Sequence, residues 1–260
     1  MLQVDGLGHT YTAGGTTYKA IDDVSFVVEA GEIVCVVGPS GCGKSTLLRC
    51  IAGLITPGRG TVLLHGEPVV GVPDDLAVVF QDYSRSLLPW KTVTGNVEFP
   101  LRGRGLSAAE LEDRVGEALA WVGLTAAAAK HPGQLSGGMQ QRVSIARALA
   151  YRPSLMLMDE PFASVDAHTR AELEDLVLNL RDEADMTILL VTHDIDESVY
   201  LADRVLVLST APSTVQADLV VDLPVPRDQV RTRSDDVFVR LRTNIATMLR
   251  PSEERATQLR

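Results

Sequence analysis

The chain is poor in cysteine, in long apolar runs and in positive charge, and each shortage removes a class of protein. Only three cysteines occur, Cys35, Cys42 and Cys50. An odd number without paired metal-ligand spacing points to reduced core residues, and away from a disulfide framework or a zinc site. No apolar run reaches the about 18 residues of a membrane-crossing helix, the longest mild candidate being the alanine-rich segment 118–129. The start, Met-Leu-Gln-Val-Asp-Gly, lacks the basic and apolar regions of a secretory signal, so the chain is expected to stay in the cytosol. Lysine and arginine number 24 against 34 acids, a net charge of −10, which argues against nucleic acid as the main partner. Internal repeats are lacking too.

What remains suits a globular protein of one large domain or two small ones. Of its 260 residues, 45% are hydrophobic, enough for a substantial core. Strand-like runs at 24–28, 33–37, 61–64, 77–80, 155–158, 187–192 and 205–208 alternate with helical patterns in the middle and late chain. That alternation predicts an α/β fold with a largely parallel sheet. A mainly helical stretch from about Ser107 to Ala150 interrupts it and reads as an inserted subdomain. Beyond Leu208 come short β-like pieces, a turn at Leu223-Pro224-Val225-Pro226, and an arginine-rich helical tail from about Asp235.

The densest signal lies at Gly38-Pro39-Ser40-Gly41-Cys42-Gly43-Lys44-Ser45-Thr46. It follows the β-branched run Ile33 to Val37 and precedes the helical pattern Leu47, Leu48, Ile51, which is the setting that a phosphate-binding G-x-x-x-x-G-K-[ST] loop requires. Glycine at 38, 41 and 43 lets successive backbone N–H groups converge on phosphate oxygens at a helix N-terminus. Lys44 supplies a point charge for the β- and γ-phosphates, and the Ser45 hydroxyl is a hard oxygen suited to Mg²⁺. A glycine-rich turn with an exposed lysine is the plain alternative for these letters alone.

A nucleotide-hydrolysing loop also needs carboxylates, and Leu155-Met156-Leu157-Met158-Asp159-Glu160 ends an apolar strand with two. Neighbouring side chains on an extended backbone point in different directions. Asp159 is therefore assigned to the Mg²⁺ shell through water, and Glu160 to the attacking water as general base.

Leu135-Ser136-Gly137-Gly138-Met139-Gln140-Gln141-Arg142 leads into a further helical pattern. A serine and two glycines at a helix start offer a capping hydroxyl and open backbone donors, a second anion-binding terminus. Here the chain resembles the ATP-binding-cassette ATPases, whose signature has this LSGGQ-like form, with Met139 replacing the usual glutamine as in many importer subunits. The resemblance runs from about residue 2 to residue 225 and rests on several ordered motifs.

It implies a P-loop NTPase (RecA-like) core with a mainly parallel sheet, an N-terminal antiparallel β part and the inserted helical subdomain. The cassette is placed at about 1–225, with its core at about 1–84 and 155–225, the insertion at about 85–154, and a peripheral tail at 226–260. In this family two subunits pack head to tail, so Ser136, Gly137 and Gly138 are expected to act in trans on the partner's ATP, in a homodimer. Gln81 matches the Q-loop glutamine, whose amide reaches the Mg²⁺ and water, and His193 matches the switch histidine at the γ-phosphate. Each, read alone, is also an ordinary polar residue at a strand end. Ser164-Val165-Asp166 matches the loop that crosses the dimer interface, where alanine-leucine or serine-leucine more often precedes the aspartate. Tyr11 is preferred over Tyr18 for stacking on adenine, with a surface tyrosine as the alternative.

The implied activity is Mg-dependent ATP hydrolysis of the translocase class, energising transport through separate integral membrane permease subunits, at the cytoplasmic face of the membrane. An extracytoplasmic solute-binding protein is implied through the permease. Leu87, Leu88 and Trp90 form either an apolar docking surface for the permease or local core packing. The Leu87-Leu88-Pro89-Trp90 element is similar to that of the nitrate, sulfonate and taurine importer group, although Tyr83-Ser84-Arg85-Ser86 departs from its commonest shorter form. Competing readings are an exporter or lipid-system ATPase, a soluble cassette ATPase of DNA repair or ribosome work, and a non-catalytic nucleotide-binding subunit.

Overall fold

In a computed structural model the described residues are 1–250, the side chains of Tyr83 and Ser84 excepted. The first elements in chain order are β1 (Leu2–Ala13), β2 (Thr16–Val28), β3 (Ile33–Val37), α1 (Lys44–Ile51), β4 (Arg59–Leu64) and β5 (Glu67–Pro68). There follow β6 (Leu76–Val79), α2 (Tyr83–Ser86), α3 (Val93–Glu98), α4 (Ala108–Trp121), α5 (Gly137–Ala150), β7 (Leu155–Asp159) and α6 (Ala167–Ala184). The chain ends with β8 (Thr187–Thr192), α7 (Ile195–Leu201), β9 (Arg204–Leu208), β10 (Ser213–Val220) and α8 (Asp236–Leu249). Two compact units result, one of Met1–Pro73 with the chain from Leu189 onward, the other Asp74–Ile188.

In the first unit the strands run in the order β5-β4-β1-β2-β10-β9-β3. β1 pairs antiparallel with β2 and with β4, whereas β9 lies parallel to β3, Val37 opposite Val207. The parallel character expected is thus found around β3, and the N-terminal part is antiparallel. β1 and most of β2 had not been expected as long strands. Their turn is Gly14-Gly15, with φ of 58° and 79°, a two-residue hairpin whose twist matches the strands it joins. The glycine- and threonine-rich residues 13–17 form that hairpin's tip. All five residues of β3 are buried, as an uninterrupted apolar run should be.

The second unit holds the mainly helical stretch together with β6, β7 and α6. Here β6 and β7 pair in parallel, with Val79 opposite Met158. The helical stretch resolves into α4 and α5. Ser107 caps α4 by accepting from the Glu110 backbone N–H while Glu110 returns a bond to the Ser107 N–H, a reciprocal capping box. All three cysteines are free and buried.

Candidate functional site

In the first unit the buried strand β3 delivers the chain into the glycine loop, and the loop into α1. Gly43 is the N-cap of α1 at φ 100°, and a Cβ there would lie 3.0 Å from the Ala20 carbonyl oxygen. Both conditions demand glycine. Gly38, by contrast, is not in the left-handed region; it is small because Cys42 Sγ occupies the space a side chain would take. Lys44 is only 6% exposed, and its Nζ donates to the carbonyls of Gly38 at 2.8 Å and Pro39 at 3.2 Å. The ammonium is thereby held over the loop, available to exchange those carbonyls for stronger anionic acceptors.

The β1–β2 hairpin sets Tyr11 opposite Tyr18, and both reach this loop. The Tyr11 hydroxyl lies 3.1 Å from Thr46 Oγ1, and Tyr18 donates to the Gly41 carbonyl at 2.9 Å. Tyr11 also meets His9 edge-on at 4.7 Å. Proximity does not separate the two tyrosines, so Tyr18 joins the candidates that sequence reasoning set aside. The Gly14-Gly15 turn is the signal that gives their register.

His193 follows β8, which neighbours β3 in the sheet, and is exposed. The next residue, Asp194, caps α7 by accepting from the Glu197 N–H at 3.1 Å, while its own N–H donates to Thr192 Oγ1 at 3.0 Å. His193 is therefore fixed between a strand end and a capped helix start.

In the second unit, parallel pairing of β6 with β7 carries Gln81 to Glu160. Gln81 Nε2 donates to Glu160 Oε2 at 3.4 Å. Asp159, the last residue of β7, is buried, whereas Glu160 is half-buried and sits at φ 45°. A non-glycine residue in that region is strained, and the turn aims its carboxylate differently from its neighbour's. The two acids thus occupy different environments, but the cause is the left-handed turn at Glu160, which lies outside β7, and not alternation along an extended strand. Ser45, Gln81 and Asp159 all offer the hard oxygens that Mg²⁺ takes.

The signature segment opens α5. Ser136 is the N-cap and accepts from the Met139 N–H at 3.3 Å; Gly137 and Ser136 are exposed, Gly138 buried. The burial has a cause that the sequence hid. A Cβ on Gly138 would come within 2.2 Å of Thr169 Cγ2 on α6. Thr169 is oriented in turn by Asp166, the N-cap of α6, which accepts from the Thr169 N–H at 3.1 Å and its hydroxyl at 2.7 Å. Those bonds hold the Asp166 carboxyl below its usual range. Asp166 and the signature glycine are thus linked through one threonine.

After Gln81 the chain is anchored to α5 by Arg147, which donates to the Ser86 carbonyl at 2.6 Å and hydroxyl at 2.9 Å. Burial lowers the Arg147 pKa. Asn96, fully buried, donates to the carbonyls of Leu88, Lys91 and Thr92 and accepts from the Leu88 N–H at 2.7 Å. It shapes the Leu88-to-Thr92 loop and had not been singled out, because an asparagine in a helical pattern carries no visible signal of burial. Leu87 is buried, so it packs inward and leaves the docking set; Leu88 is half-buried, and Trp90 is 71% exposed. Beside this loop a groove of about 490 Å³ is lined by Leu111, Val115, Leu119 and Thr94, with Glu98 and Glu112 among its walls.

A family model described as ABC transporter matches residues 21–163. The chain belongs to that family. Its similarity to the nitrate import ATP-binding protein NrtD of Synechococcus elongatus is 43% identity, covering 95% of this chain and 91% of that protein. To the bicarbonate transport ATP-binding protein CmpD of Synechocystis it is 39% identical, covering 93% and 86%. Among solved structures, the dimeric ATP-binding cassette MJ0796 in a post-hydrolysis state bound to ADP and Pi aligns with a TM-score of 0.74 and 33% identity, over 85% of this chain and 99% of that one. The α/β P-loop fold and ATP as the nucleotide follow from this membership. Among the described residues no helix of this ABC cassette is long and apolar enough to cross a membrane.

Proposed function

We propose that the chain is the ATP-hydrolysing subunit of an importer for a small oxyanion, nitrate above all. The observation that carries the hydrolytic part is the Gln81–Glu160 contact at the ends of two paired strands. It joins the group proposed to sense magnesium and water to the group proposed to take the water's proton. The anion class is supported by relatives whose names specify nitrate import and bicarbonate transport, two small oxyanions of similar size and charge.

Lys44 neutralises charge on the β- and γ-phosphates, and the loop from Gly38 to Thr46 presents its backbone donors to them. Ser45, Gln81 and Asp159 would hold Mg²⁺, Asp159 through water, and the ion would neutralise charge on the phosphates. Glu160 accepts the proton of the attacking water, and His193 orients the γ-phosphate for in-line attack. Ser136, Gly137 and Gly138 supply donors to the ATP of a second copy, so a homodimer is the working unit. Tyr11 or Tyr18 flanks the adenine. The apolar groove of α3 and α4, with Glu98 and Glu112 at its walls, receives a helix of the permease that carries basic residues beside an apolar stripe. The cassette then works at the cytoplasmic face of the membrane, with an extracytoplasmic solute-binding protein feeding the permease.

The test is isolation of the complex with its permease and measurement of ATP-dependent uptake in vesicles, offering nitrate, bicarbonate and taurine in turn. Nitrate uptake above the other two is expected, and its loss in the Glu160→Gln complex with ATP still bound. Uptake of taurine alone, or wild-type hydrolysis in Glu160→Gln, would overturn the corresponding part.

A further inference from the structure

We infer that the segment from Leu223 to the end of α8 is a clamp that positions the switch helix α7, with Arg227 as its principal positioning residue. The inference rests on the reading of His193 as the γ-phosphate contact. α7 has seven residues, too few to hold a direction by itself in water. What grips it decides where His193, two residues ahead of its first turn, is held.

Three arginines of the tail grip α7 along its length. At its carboxy-terminal end Arg227, with a side chain only 2% exposed, donates to the carbonyls of Tyr200 and, at 2.7 Å, of Ala202. A planar, permanently charged fork suits two carbonyls spaced two residues apart, that of Tyr200 in the last turn and that of the C-cap Ala202, at the negative end of a helix better than lysine's single ammonium would, and the Asp203 carboxylate lies 4.0 Å away as a further partner. Next, Arg233 lies over the ring of the fully buried Tyr200 at 4.7 Å, with the Phe238 ring of α8 at 6.0 Å, and its Nε donates to Gln229 Oε1 at 3.0 Å. Arg242 of α8 reaches Asp196 in the first turn of α7 at 3.5 Å. α7 also packs against β3, the strand that leads into the phosphate loop. A tail that served only to cover apolar surface would need no cation directed at backbone carbonyls of that one helix.

The test compares ATP hydrolysis and nucleotide binding by the full chain carrying Arg227→Met, Arg227→Lys, His193→Ala, and Arg227→Met with His193→Ala. Arg227→Met is expected to lower kcat about tenfold while leaving the nucleotide Kd within about twofold, since the phosphate loop is untouched. Arg227→Lys should recover part of the loss. In the His193→Ala background Arg227→Met should add nothing, because the residue it positions is gone. An unchanged kcat, or the same fall in both backgrounds, overturns the clamp. If His193→Ala itself keeps wild-type kcat, the histidine reading fails on its own evidence, separately from the result for Arg227. Should Arg227→Met not fold, Arg233→Gln is read the same way: a smaller fall in kcat with unchanged Kd supports the clamp, and full activity refutes it.

Discussion

At the scale of single residues, side-chain volume and proton affinity decide what each position tolerates. Gly138 has Thr169 Cγ2 where its own Cβ would go, so Gly138→Ala is expected to cost roughly 1–3 kcal/mol by overpacking. Adding Thr169→Ser removes the clashing methyl and keeps the hydroxyl that Asp166 holds. Urea midpoints should fall in the single variant and recover in the double one. Burial raises the Cys50 thiol to about 11, whereas an unfolded cysteine ionises near about 8.5. Between those values the unfolded chain loses a proton that the native one keeps, so stability falls as pH rises through that window. Cys50→Ala should flatten the dependence of Tm on pH above about 8.5. A slope that stays the same would show that Cys50 does not contribute to it.

Elements are set by caps and turns that are partly written in sequence and partly in contacts. The Ser107–Glu110 box and the Ser136 and Asp166 caps were legible as residue types, because each bond closes within three residues. A Gly-Gly pair between two strand-length segments is a local turn signal too, and Gly14-Gly15 makes the hairpin turn. Asn96 was not legible. Its four hydrogen bonds reach three residues, among them Leu88, eight residues away, and only packing in the second unit buries it. Asn96→Ala should leave the Leu88 N–H and several carbonyls without partners and cost about 2–4 kcal/mol. Thermal denaturation measures that cost, and faster amide exchange at 88–92 locates it. A loss below about 0.5 kcal/mol would mean that the loop holds its shape without the amide.

For the whole molecule the question is how many chains make one ATP site. A homodimer with Ser136 acting in trans predicts that Lys44→Ala and Ser136→Arg chains, each inactive alone, regain part of the ATPase rate when mixed. One site of such a heterodimer carries both lesions and the other carries neither. Recovery approaching half the wild-type rate per heterodimer is expected by that counting, measured on heterodimers purified with two different tags. No recovery in well-formed heterodimers would count against sharing between chains.

Much of this protein was determined by sequence alone, for a physical reason. The phosphate loop, the paired acids at 159 and 160 and the signature at 136–138 depend on consecutive residues at a strand end or helix start, so their chemistry is local. Tertiary structure decided what depends on distant partners. Parallel pairing of β6 and β7 brought Gln81 to Glu160, and the hairpin brought Tyr18 as well as Tyr11 to the loop. Burial turned Leu87 inward and left Trp90 in solvent. Tertiary structure also brought Arg227 of the tail to the carbonyls of Tyr200 and Ala202, at the end of the helix behind His193. No spacing rule could have disclosed that contact, because its partners lie 25 and 27 residues apart along the chain and meet only once the first unit has closed around α7.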